Sequence, residues 1–151
     1  MSKKDELDIV MFPEMAFSGY CFEDLKQIRP CLELAGKGKN FEFMSVLAKK
    51  LGAYVVGGYP EVRKTAKGKE EYYNSMYVID RKGELLLNYS KHFLFETDKV
   101  WAKPGKGFQT VQMTNRAGVE FKAGLAICMD INPEEFRDCS KYELANHMKE
   151  E

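Results

Sequence analysis

The sequence predicts a mixed α/β domain whose helices cover a largely antiparallel sheet. Three observations carry this. Apolar runs of strand length stand at residues 7–12 and 53–59, the second ending in a glycine pair. Two stretches, 73–91 and 107–130, each read as strand, Gly-containing turn and strand. Between the two apolar runs, "FEFMSVLAKKL" repeats its apolar positions at helical spacing.

In chain order, "LDIVMF" is a buried strand stopped by Pro13, and "SGYCFEDL" opens a region of mixed loop and helix. After the polar linker "KGKN", Asn40 is placed to cap a helix. That helix presents Phe43, Met44, Leu47, Ala48 and Leu51 on one face and stops at Gly52. "AYVVGGY" follows as a strand, and "TAKGKEE" is a charged loop. The hairpin "YNSMYVID-RKG-ELLLNYSK" turns at Gly83, and the next hairpin turns at "TNRAG". Asn132, Pro133 and Glu135 carry the signals of a capped helix start, and "SKYELANHMKE" is a last helical run.

The chain has 151 residues, the length of one domain, and 44% of them are hydrophobic. Lysine plus arginine number 23 and aspartate plus glutamate 23, a zero balance that argues against nucleic acid or an anionic membrane as main partner. The opening "MSKKDELDIVMFPEM" holds an apolar run shorter than a signal-peptide core, and no segment reaches membrane-spanning length. Cys21, Cys31, Cys128 and Cys139 form no C-x-x-C pair and His92 and His147 stand alone, so a metal site is not expected. The cysteines read as reduced thiols of a cytoplasmic protein.

Three residues have two readings each. Glu14, directly after Pro13, is a satisfied structural acid or a catalytic one. Lys91 closes an apolar strand as a solvated end or as a functional cation. Cys128 is inert core filling or a nucleophile at a strand-to-helix switch, where a helix N-terminus and nearby cations lower a thiol's pKa. Together they supply an amide-cleaving set. A thiolate attacks, a carboxylate moves protons, and an ammonium holds the oxyanion.

"FPEMAFSGY" around Glu14, "YSKHFLFETD" around Lys91 and "GLAICMDINPEEF" around Cys128 resemble, in order, the three signature blocks of the nitrilase, or carbon–nitrogen hydrolase, superfamily. "FLFETDKVWA", "CMDINPEEF" and "YELANHM" are most similar to its N-terminal amidase branch, which hydrolyses the side-chain amide of N-terminal Asn or Gln and feeds an N-degron route. The resemblance implies an α-β-β-α sandwich. Residues 1–151 are then a single, partial domain, expected to lack the first strand and the C-terminal half of that fold. It makes Glu14 the general base and acid, Lys91 the oxyanion stabiliser, Cys128 the nucleophile and the Met129 N–H a second oxyanion donor. No cofactor is implied. A further glutamate of the family, which helps position substrate and lysine, falls at Lys99, a charge reversal. Asp98 and Glu96 are then the acids available for that place, Asp98 being the expected substrate-binding residue. The expected partner is a peptide or protein N-terminus, or a small free amide. A largely missing second sheet would leave an apolar face that predicts a homo-oligomer or a completing partner chain. A truncated, inactive homologue acting as an interaction module is the alternative of a different class.

Overall fold

The computed structural model describes residues 7–138 and 140–151. The first six positions and Cys139 lie outside the described residues, and with them the reading of Cys139 as a free thiol. Four strands, β1 (Ile9–Met11), β2 (Tyr54–Lys64), β3 (Glu70–Ile79) and β4 (Leu85–Ser90), form one sheet in that order. β5 (Gln109–Thr114) and β6 (Glu120–Leu125) form a second. The helices are α1 (Leu25–Ile28), α2 (Lys39–Leu51), α3 (Glu96–Lys99) and α4 (Glu143–Glu150). Both expected hairpins are present as antiparallel pairs. β1, however, joins β2 in parallel, Ile9 opposite Tyr54, because a long crossover containing α1 and α2 separates them.

Alternation along β2 and β3 gives the first sheet two apolar faces. Val55, Tyr59, Tyr77 and Ile79 turn towards Met44 and Ala48 of α2, all fully buried. Tyr54, Val56, Met76 and Val78 turn the other way and meet Val111, Met113 and Leu125 of the second sheet. Each fully buried Val, Ile or Met side chain stabilises the fold by about 1.5–3 kcal/mol. The β5–β6 hairpin thus covers much of the face expected to be bare. Met11, on the outer edge of β1, is still 71% exposed. On the far side of the second sheet, Met148 of α4 lies over Gly124 and the His147 ring sits 5.8 Å from that of Phe108. The layers therefore run helix, sheet, sheet, helix, with the second half small.

Three local expectations are corrected. α2 begins one residue before Asn40, with Gly38 at its N-cap, and the Asn40 N–H donates instead to the Glu33 carboxylate at 3.0 Å. Phe43 leaves the helix's buried face and, half exposed, joins an aromatic cluster with the exposed Phe17 and the half-buried Phe12. Gly52 does end the helix, in the left-handed conformation that glycine adopts freely. Beyond Cys128 no α-helix starts at Pro133. A 3₁₀ turn spans Glu134–Phe136, with positive φ at Glu135 and Phe136. The capping letters are there, but the one large apolar side chain of "EEFRD", Phe136, is 60% exposed, so no buried face holds a helix together.

Candidate active site

Glu14, Lys91 and Cys128 come from three separate chain segments and meet at one end of the paired sheets. β1's pairing is extended by one bond, the Phe12 N–H donating to Val56 O at 2.8 Å, and Pro13 then turns the chain so that Glu14 lies on β2. The approach is close: a Cβ on Gly58 would stand 2.7 Å from Met15 N and 3.0 Å from Glu14 Cα. Lys91 follows β4 directly, its N–H donating to Asn74 O at 2.8 Å and its carbonyl accepting the Gly105 N–H at 2.7 Å. Cys128 stands just past β6 and opens the 3₁₀ turn Cys128–Ile131, with φ at 44°, a conformation rare for residues other than glycine.

Lys91 is fully buried and its Nζ donates to Glu14 Oε1 at 2.7 Å and to Asp98 Oδ2 at 2.6 Å. Asn74 Nδ2 donates to the same Glu14 oxygen at 2.7 Å and to Asp98 Oδ1 at 2.9 Å. Burial alone would pull the ammonium down. The bonds to Asp98 and Glu14 outweigh it and hold Lys91 above its ordinary value, so it stays charged. Cys128 is an exposed residue with its thiol partly covered, which removes the core-filling reading. It borders a cavity of about 140 Å³ with Phe12, Glu14, Gly58, Met76 and Ile127.

The thiol is not lowered by a helix N-terminus. Burial first and then the Glu14 charge push it up, with Lys91 opposing and Glu14 also accepting from it. Two carboxylates around one ammonium leave the site with a net negative charge, and among the described residues the turns at and after Cys128 are 3₁₀ rather than α-helical. The resting pair is therefore a neutral thiol beside a carboxylate, which suits proton transfer from one to the other. The Met129 N–H, next in the turn, donates to no acceptor among the described residues.

Of the two acids weighed for the reversed charge at Lys99, Asp98 is on the lysine and Glu96 is not. Glu96 is exposed and pairs with Lys99 at 3.0 Å, and Lys99 also reaches Glu135 at 3.8 Å. The charge reversal stays outside the site.

Four residues escaped the sequence reading: Asn74, Asp130, Gly58 and Tyr20. Asn74 shares a strand face with the apolar Met76 and Val78, and a polar residue in that register was the available signal. Asp130 is wholly buried and accepts from Ile127, His92 and Phe93 backbone N–H groups and from Tyr89 OH. It locks the cysteine's turn to the lysine's loop. The Tyr20 ring lies 5.9 Å from Lys91 Nζ.

Residues 1–142 match the model of the family described as carbon-nitrogen hydrolase. The chain is 38% identical over 146 residues to a protein N-terminal amidase of Schizosaccharomyces pombe, covering 95% of this chain and 50% of that protein. It is 34% identical over 143 residues to a protein N-terminal amidase of Saccharomyces cerevisiae, covering 85% of this chain and 30% of that one. A crystal structure of an N-terminal amidase with an Asn-Glu-Ala peptide superposes with a TM-score of 0.77 at 33% identity, over 85% of this chain and 33% of that one. The chain thus spans half, or less, of the length of these relatives. With those relatives on one side and the three converging blocks on the other, the chain belongs to the carbon–nitrogen hydrolase family.

Proposed function

We propose that this chain carries the catalytic residues of a thiol amidohydrolase acting on the side-chain amide of an N-terminal Asn or Gln. The observation that carries the reading is the Glu14 carboxylate, which touches the Lys91 ammonium at 2.7 Å and borders the same cavity as Cys128. The relatives named protein N-terminal amidase, and solved N-terminal amidases with Asn-Glu-Ala and Gln-Gly peptides, support the substrate class.

Glu14 takes the thiol proton as Cys128 Sγ bonds to the amide carbon, whose C=O pair moves onto oxygen. Lys91 and the Met129 N–H hold that oxyanion. Glu14 returns the proton to the leaving nitrogen, the C–N bond breaks and ammonia departs, leaving a thioester on Cys128. Glu14 then deprotonates a water as the water oxygen bonds to the thioester carbon. The C–S bond breaks with its electron pair going to sulfur, and Glu14 returns the proton to that sulfur. The products are an N-terminal Asp or Glu and the free thiol. Peptide N-termini enter a site of net negative charge, which favours their α-ammonium over a carboxylate at the same place.

Ammonia release from Asn-Glu-Ala and Gln-Gly, compared with Cys128→Ala, tests this. Release above the variant is expected. None at any pH between mildly acid and mildly basic sinks the reading for this chain. Faster release from a small free amide than from both peptides would replace the peptide N-terminus by a small-molecule ω-amide as substrate.

A further inference from the structure

We propose that Asn74 is a positioning residue that selects which oxygen of Glu14 faces the thiol; the inference rests on the amidohydrolase reading of this site. Asn74 has no exposed surface. One hydrogen of its amide goes to Glu14 Oε1 at 2.7 Å and the other to Asp98 Oδ1 at 2.9 Å. Lys91 Nζ closes the ring, donating to Glu14 Oε1 at 2.7 Å and to Asp98 Oδ2 at 2.6 Å.

A carboxylate oxygen has two lone pairs directed for hydrogen bonding. On Glu14 Oε1 both are taken, one by Asn74 and one by Lys91. Oε2 is left to receive the proton of Cys128. Lys91 alone would not enforce this choice, because a flexible ammonium follows the carboxylate through a flip. A planar amide fixed in a buried strand does not.

The orientation of the amide is dictated as well. Turned by half a revolution, it would aim its oxygen at two carboxylates. As it stands, Asn74 Oδ1 is buried with no partner among the described residues. The fold leaves a carbonyl unpaired so that both N–H groups reach the acids. The same residue's backbone oxygen accepts the Lys91 N–H at 2.8 Å, so Asn74 registers base and lysine together. The charged and titratable groups facing this ring are Lys91, Asp98, Cys128 and Tyr20.

The test uses the full chain with Asn74→Ala and Asn74→Asp, the second keeping the volume while turning a donor into an acceptor. Iodoacetamide alkylation of Cys128 is followed by mass across pH. Its limb reads the ionisation of the thiol, which the Glu14 charge opposes. Without the Asn74 donor the Glu14 charge is no longer offset or turned by the amide, and it opposes the thiolate more strongly. The limb is expected at higher pH in both variants, by about one pH unit, an approximately tenfold slower reaction below it. Loss of fold moves the limb the other way, down towards the ordinary thiol value, and quickens the reaction. A limb that does not move, in variants with unaltered circular dichroism, overturns the proposal.

If neither variant folds, the unaltered chain decides. The Asn74 side-chain NH₂ signals are expected to shift with pH, and Glu14→Gln is expected to remove that step. Signals indifferent to both overturn the proposal. Failure of the chain to release ammonia would sink the amidohydrolase reading alone, since alkylation needs no substrate.

Discussion

Tyr89 OH donates to Asp130 Oδ2 across 2.7 Å, both side chains wholly buried, and so ties the last strand of the first sheet to the turn that presents Cys128. Burial first, and then the charge of Asp130, push the Tyr89 phenol up, so it remains a donor across the working pH range. Ile127 N–H reaches the same carboxylate at 2.9 Å, and the His92 and Phe93 N–H groups reach it at 3.0 and 2.7 Å. One side chain thereby sets the distance between the loop after Lys91 and the thiol.

Tyr89→Phe is expected to cost about 1.5–3 kcal/mol, the range for one hydrogen bond to a charged group. Asp130→Ala strands four donors and is expected to cost more, about 3–5 kcal/mol. Urea unfolding midpoints measure both. Equal losses in the two variants would show that the backbone N–H groups find other partners.

Lys91→Met removes the one ammonium between Glu14 and Asp98 and is expected to destabilise by about 3–5 kcal/mol. Adding Asp98→Asn to it should recover part of the loss, with a coupling of about 1 kcal/mol or more in the double-mutant cycle. Strict additivity would contradict the ion pair. The pH dependence has a definite sign. Burial lowers the Lys91 ammonium, but its bonds to Asp98 and Glu14 raise it overall, above the ordinary 10.5. The stability it contributes is therefore complete below that pH and is lost as pH rises through the higher folded value. The unaltered chain should show this alkaline loss and Lys91→Met should not.

Strands and hairpins were legible because apolar alternation and Gly-containing turns are local. Glu14, Lys91 and Cys128 were legible only as an ordered set of blocks. Each taken singly is a residue at the end of an apolar run. Asn74 and Asp130 were not legible, because the side-chain bonds that join them to other segments run to partners 24 to 60 positions away. The false helix after Pro133 has the opposite cause. Its capping signals are local and real, but helices of this length are held by an apolar face, and Phe136 points to solvent.

Glu14→Gln separates the acidity of the thiol from catalysis. Burial is the first reason the Cys128 thiol lies above its ordinary 9.0, and the Glu14 charge is the second. Removing that charge makes the thiol more acidic, so alkylation by iodoacetamide at pH 8 should quicken several-fold, about threefold for every half pH unit by which the thiol's titration falls. Ammonia release should vanish in the same variant. Slower alkylation would mean that Glu14 stabilises the thiolate, the opposite of the repulsion between the two groups in this site. For the unaltered chain, a thiol raised by folding keeps its proton where the unfolded chain has lost it. Stability should then fall as pH climbs past the ordinary thiol value.

Gly58→Ala probes the placement of Glu14 without touching its chemistry. The added carbon would stand 2.7 Å from Met15 N, and backbone does not yield as the end of a flexible side chain does. Relief requires the segment from Pro13 to Met15 to lift from β2, carrying Glu14 away from Cys128. Overpacking of this kind costs about 1–3 kcal/mol, which thermal unfolding would register. The sharper readout is the thiol. With Glu14 withdrawn, Cys128 loses the charge that helps hold it up, and its alkylation should move towards that of Glu14→Gln. A destabilised Gly58→Ala chain whose thiol titrates unchanged would show that the strand gives way elsewhere, and that the glycine serves packing alone.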